Sequence, residues 1–268
     1  MKKLLVIFLT LTLALALAAC GAAPAEPAPA EETPAAPLEA AAQAAVGETG
    51  EAGEEAPAEE PHYSDTMVPF DQLTPAARII ILENTINYSR DGFYTADTKP
   101  ATEEITYNGA AAQAYPISYA TQFLTNGLSG MVKVGDSEGV VHELSAEDFQ
   151  ALYVVIDFSS GLAPVVCAAD GSGAINFAYA ITEGGEGIYS VPASTSHKPL
   201  DVLAVYGWPA EAEYRYVATD KFHIPVPAAE NSTGELRGAL SGAVNGSFPD
   251  LALASGKIND VIFIEAIQ

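Results

Sequence analysis

Basic residues are scarce in this 268-residue chain: 11 Lys and Arg stand against 35 Asp and Glu, a formal net charge of −24. Nucleic acid is therefore excluded as a partner, because phosphate backbones are gripped by clustered cations. An anionic membrane surface would repel such a chain for the same reason. Cysteine is nearly absent, with only Cys20 and Cys167, so no disulfide framework supports the fold. The four histidines, His62, His142, His197 and His223, are isolated, and none has a partner at the spacing of three or four from which a helix builds a zinc site. No serine sits in a nucleophile-elbow sequence. Ser145, followed by Glu147 and Asp148, reads as a helix cap. Asp170-Gly171-Ser172-Gly173 lacks the alternating acids of a calcium loop and reads as a turn between strands. No catalytic or metal-ligating constellation is legible.

What is present begins at the amino terminus. Lys2 and Lys3 precede an apolar run from Leu4 to Ala19, shorter than the roughly 20 residues of a spanning helix and patterned as an export signal over 1–19. It stops at LAAC, Leu17 to Cys20, which resembles the lipobox of bacterial lipoproteins. That resemblance implies cleavage before Cys20, a diacylglyceryl thioether on its sulfur and acylation of the new terminus, with palmitate as a typical chain. Two or more chains anchor stably, at about 0.8 kcal/mol per buried methylene, where one holds only marginally. The expected location is the extracytoplasmic face of the cell membrane, with the membrane contacted through the lipid anchor alone. From 20 to 62 the chain is alanine, proline and glutamate, with ten acidic residues and no basic one. Such a composition cannot bury enough apolar surface to offset its ordering entropy. It reads as a disordered tether, spanning about 35 Å as a flexible coil.

Residues 63–268 are long enough for a substantial core. Short stretches rich in β-branched and aromatic residues, such as Tyr153 to Phe158, Ile175 to Ile181 and Val261 to Ile267, predict strands. Helices are predicted to be few and short, giving a strand-dominated α+β class with a mixed, barrel-like sheet. One longer helix is predicted over 73–90, with Thr74 as cap and Pro75 in the first turn. A phrase also recurs. YPISYATQFLTNG at 115–127 and HKPLDVLAVYGW at 197–208 each lead into a hairpin pattern, a capped helix start and two further strands. This order predicts two related helix-plus-strands units, 115–181 and 197–267.

Several pieces of the second half stand in the order of a known cofactor domain. They are Cys167; the Pro199-Leu200 helix ending at Gly207; Thr219-Asp220; Val244-Asn245-Gly246-Ser247-Phe248-Pro249; and Gly256-Lys257 before Val261 to Ile267. In this order they resemble a degenerate molybdopterin-binding domain of the sulfite oxidase family. The resemblance implies a molybdopterin cofactor, an oxidoreductase activity and Cys167 as a molybdenum ligand. The family's basic segment after the asparagine-glycine is here PDLALASG, 249–256, without a base before Lys257, so phosphate recognition lacks its guanidinium. Cys167 reads either as that ligand or as a structural thiol among Val165, Val166, Ala168 and Ala169. Tyr206 and Trp208 read either as a surface for an unknown protein, peptide or glycan ligand or as core. The function expected is non-enzymatic binding at the cell surface with no cofactor, the alternative being the molybdopterin-dependent domain.

Mass spectrometry of the mature amino terminus should find Cys20 acylated in the natural chain, and a Cys20→Ala chain should lack that modification. A natural mature chain whose first residue carries no lipid contradicts the anchor.

Overall fold

The computed structural model describes residues 68–69, 75–87, 100–219, 222–251 and 255–267. The expected leader, Cys20 and the tether lie outside the described residues, as do His62, Thr74 and Asp220.

Strand β1 (Val68–Pro69) precedes β2 (Pro75–Ile81) and helix α1 (Leu82–Asn87). The hairpin of β3 (Glu103–Tyr107) and β4 (Ala110–Pro116) leads to α2 (Ser118–Thr121). Then come a hairpin, β5 (Met131–Asp136) with β6 (Val141–Ser145), helix α3 (Ala146–Gln150), and strands β7 (Tyr153–Val155), β8 (Val165–Cys167), β9 (Ile175–Ile181) and β10 (Gly187–Tyr189). A second run opens with β11 (Ser196–His197) and α4 (Pro199–Val205). It continues with the hairpin β12 (Tyr214–Ala218) and β13 (Phe222–Val226), helix α5 (Glu230–Thr233), and strands β14 (Glu235–Gly238), β15 (Val244–Ser247), β16 (Lys257–Ile258) and β17 (Val261–Ile267).

The class is strand-dominated α+β with short helices, as the sequence predicts. One large mixed sheet follows the path β1-β13-β12-β17-β2-β10-β9-β8-β7-β4-β3, with β5 on β9 and β6 on β5. The path has two ends, so the sheet is not closed into a barrel, contrary to the barrel-like expectation. A second sheet, β11-β14-β15-β16, is antiparallel throughout. Among the described residues no helix is long and apolar enough to cross a membrane.

The helix predicted over 73–90 is the main correction. Among the described residues of that span Pro75 to Ile81 are extended and Leu82 to Asn87 are helical. Ile79, Ile80 and Ile81 are wholly buried, and β2 lies between β17, antiparallel, and β10, parallel. A run of β-branched residues loses rotamer freedom in a helix and suits a strand covered on both faces. Ile79 and Ile81 join one core with Tyr216, Ile264 and α4's Val202 and Leu203. Ile80 joins the other with Val217, Phe263, Val134, Ala180 and α2's Ala120. Alternation along each strand thus feeds two cores on opposite faces.

Local signals hold elsewhere. Ser145 Oγ accepts the Asp148 N–H at 3.0 Å, the expected cap, typically worth about 1 kcal/mol. Helix α4 ends at Gly207, whose φ of 70° suits a residue without Cβ, and the Trp208 N–H closes back on the Leu203 carbonyl at 3.0 Å.

The two runs share a register. Tyr115, Val154, Val166 and Ile175 are partners across β4, β7, β8 and β9, and His197, Leu236, Gly246 and Ile258 are partners across β11, β14, β15 and β16. The β5–β9 ladder shifts register between Gly135 and Asp136, and the β12–β17 ladder between Val217 and Ala218.

Helix α1 buries polar side chains where it continues from β2. Glu83 is 2% exposed; its Oε1 accepts the Ser190 hydroxyl at 2.6 Å and its Oε2 the Val191 N–H at 2.9 Å. Burial pushes its carboxyl above the ordinary value of 4.5, against the lowering effect of those two hydrogen bonds. A raised folded value means that the favourable contribution is full below the unfolded value and is lost as pH rises through the folded one. Glu83→Gln keeps both contacts, since its amide oxygen accepts from Val191 and its NH2 donates to Ser190 Oγ. Chemical denaturation between pH 4 and pH 8 should show the variant gaining stability relative to the natural chain as pH rises; an unchanged difference across that range contradicts a raised carboxyl.

Candidate functional site

The outer face of the β11-β14-β15-β16 sheet carries a groove of about 290 Å³. Its walls follow from strand alternation. Leu236, Val244 and Ile258 point inward and are buried, which leaves Glu235, Arg237, Asn245, Ser247 and Lys257 on the outward side. Arg237 faces Asn245, Glu235 faces Ser247, and Ser247 faces Lys257 across the ladder; Asn259 completes the lining beyond Lys257. The result is a two-row grid with Arg237 and Lys257 at opposite corners, their backbones about 12 Å apart by sheet geometry.

Two glycines make the face possible. A Cβ at Gly246 would come within 2.4 Å of the Phe248 ring, and one at Gly238 within 2.2 Å of the Pro192 carbonyl oxygen. Phe248 is wholly buried and meets Tyr216 edge to face at 4.9 Å between ring centres. Asn84 ties the sheet to the rest: its Nδ2 donates to the carbonyls of Val244 and Val261 at 3.0 and 2.6 Å, and its Oδ1 accepts the Val244 N–H at 3.1 Å.

Electrostatically the groove runs against the chain's own charge. Among the other described bases Arg78 pairs with Glu265 at 2.7 Å and Arg215 with Glu213 at 3.2 Å, while Lys133 and Lys198 stand singly, away from the groove. The side chains of Arg237 and Lys257 are exposed and make no ion pair or hydrogen bond with the described residues. Asn245 Oδ1 accepts the Asp260 N–H at 2.9 Å, which leaves its NH2 as a donor.

The residues singled out from sequence lie elsewhere. Cys167 is wholly buried, in a small cluster with Ile105 and Ala114, edged by Tyr107, Ala112, Tyr153 and Val155. Burial, and secondarily the charge of Asp170, pushes its thiol up, the opposite of an activated thiolate. Tyr206 is buried in the core beside α4, and burial holds its hydroxyl well above the usual phenol range. Trp208 is half-buried, donates from Nε1 to the Gly185 carbonyl at 2.9 Å and stacks on Tyr214 at 5.3 Å. Neither lines the groove.

The described histidines are each placed by a local partner. His197 Nδ1 is 2.9 Å from the Tyr189 hydroxyl and its Nε2 3.0 Å from Thr195 Oγ1; burial lowers its pKa and drives that of Tyr189 to about 12. His142 meets Asp136 at 3.2 Å, and His223 meets Glu265. Among the described residues no group of three or more His, Cys, Asp or Glu is placed to hold a metal ion.

Sequence reasoning missed Arg237 and Lys257 as site residues. The available signal was their rarity, two cations on alternating short strands, ELRG and KI, in an acidic chain. No family model, curated protein or solved structure matches this chain.

In the Cys20→Ala chain Cys167 is the lone thiol. Its reaction with a thiol reagent should be slower in the folded protein than in denaturant by on the order of 100-fold or more. Rapid labelling without denaturant would place it in an accessible pocket.

Proposed function

We propose that this chain is a lipid-anchored protein of the extracytoplasmic membrane face, that its globular domain is a non-enzymatic binding module, and that the Arg237–Lys257 groove is its ligand face. One observation carries the reading: two cations without ion partners on an open polar face, in a chain whose net charge is −24. An exposed positive charge in a negative field draws an anionic group from solution. The groove is at the small end of ligand-sized cavities, and its polar lining offers both donors and acceptors. The acidic tether expected over 20–62 would let the globular domain stand clear of the bilayer.

A second reading, a degenerate molybdopterin-dependent oxidoreductase domain, draws on one observation: Asn245, Gly246 and Lys257, three residues of the resembling pieces, line the groove. The donor chemistry does not fit a molybdenum centre. Cys167 belongs to a separate apolar cluster, and a thiol pushed up by burial disfavours the thiolate that a metal requires.

The test uses the full-length Cys20→Ala chain on an array of anionic and neutral glycans and peptides. Retention of anionic ligands should fall at least about tenfold in an Arg237→Ala/Lys257→Ala variant, equivalent to about 1.4 kcal/mol. Binding that the double substitution leaves unchanged would remove the groove from the account, and stoichiometric molybdenum in protein from its native host would favour the second reading.

A further inference from the structure

We infer that the groove recognises an acidic sugar, a ring bearing one carboxylate and several hydroxyls; this deepens the reading of the groove as the ligand face and rests on it. The first support is a comparison of the molecule with itself. In the shared register, the outward positions Tyr153, Val155, Val165 and Cys167 of β7–β8 correspond to Glu235, Arg237, Asn245 and Ser247 of β14–β15. Three of the first set, Tyr153, Val155 and Cys167, pack with Ile105 and Ala114 of the β3–β4 hairpin, and Tyr153 donates to Glu103 at 3.0 Å. Before β11 no such hairpin intervenes: residues 190–195 run directly from β10 and meet β14 through the Ala193–Gly238 bridge. The inward residues at the centre of the two ladders, Val154 and Leu236, are both wholly buried. So the scaffold is kept, while the second outer face is open and polar where its counterpart is largely apolar and packed beneath a hairpin. That polarity belongs to the face's use, because the fold is equally built with an apolar version.

The second support is the composition of the grid. Arg237 offers a planar fork that takes a carboxylate through two parallel hydrogen bonds. Glu235, two residues away on the same strand and side, is an acceptor and repels a second negative charge. A phosphate ester, carrying about −1.5 to −2, meets more of that repulsion than a carboxylate carrying one. Between the cations stand Asn245, whose NH2 donates, and Ser247, which donates and accepts, with Asn259 beyond Lys257. Ring hydroxyls, each both donor and acceptor, satisfy such a row. Glu235 accepts from a hydroxyl, and Lys257 donates to the far side of the ring.

Isothermal titration of the full-length Cys20→Ala chain with glucuronate, glucose and inorganic phosphate tests this. Glucuronate should bind at least about tenfold more tightly than glucose, and Arg237→Ala should abolish that preference. Glu235→Ala should weaken glucuronate several-fold and tighten phosphate, an opposition that a general loss of folding cannot produce. Phosphate binding as tight as glucuronate, lost in Arg237→Ala, would overturn the sugar assignment and leave the anion-binding groove standing. No Arg237-dependent binding of either anion would overturn both.

Discussion

Strand β2 must bury both of its faces, and the rest of the domain is arranged around that requirement. Three consecutive isoleucines, wholly buried, cannot be satisfied by one core, because successive side chains leave a strand in opposite directions. Two cores are therefore needed, and each is closed by one helix-and-hairpin run. The neighbouring strands repeat the division: Phe263 turns to one core and Ile264 to the other, as do Val217 and Tyr216. Charge fixes the alignment of these strands. Glu265 on β17 takes Arg78 of β2 at 2.7 Å and contacts His223 of β13, while the Arg78 guanidinium lies 4.8 Å from the centre of the Phe263 ring. A slip of one residue would turn every side chain to the other face and leave a buried carboxylate without its cation, a cost of several kcal/mol.

The same junction reaches the groove through α1. Because β2 ends in a helix of six residues, Glu83, Asn84 and Thr85 fall inside the molecule and must find partners there. Thr85 donates to the Ile81 carbonyl at 2.5 Å. Asn84 bridges β15 and β17 with both ends of its amide, so the smaller sheet is bonded to the larger one by a side chain where no strand ladder joins them. The groove face is thereby held rigidly on an otherwise short-stranded platform, the condition for a site with preorganised donors.

Short-range chemistry was readable in the sequence; long-range assembly was not. Ser145 as a cap, the Pro199 helix closing on Gly207, and the strands at 175–181 and 261–267 each depend on a few adjacent residues, and each was legible. Ile79 to Ile81 misled because three apolar residues in a row satisfy a helical stripe as well as a doubly buried strand, and only the neighbours β10 and β17, both contributed from far along the chain, decide between them. The groove was illegible for a related reason. Strands of four, four and two residues contain too few periods to announce which side faces water, and Arg237 and Lys257 become neighbours only through pairing. Tyr206 and Trp208 drew notice as large rings beside a glycine, yet size is as good a reason for burial as for recognition.

The alternation that hid the groove also explains how such a face can be given over to binding. In β14 and β15, Leu236, Gly238, Val244 and Gly246 face inward and hold the sheet against Phe248 and the Val191–Pro192 backbone. Their outward neighbours touch none of this. Apart from Asn245, which holds the Asp260 N–H at 2.9 Å, replacing an outward residue removes none of these contacts, so stability and recognition are carried largely by separate positions on the same strands. On β7 and β8 the outward set serves packing instead, and its chemistry is fixed by the hairpin above it. A sheet whose outer face is uncovered has no such obligation, and outward residues such as Arg237 and Lys257 answer to water and to whatever binds.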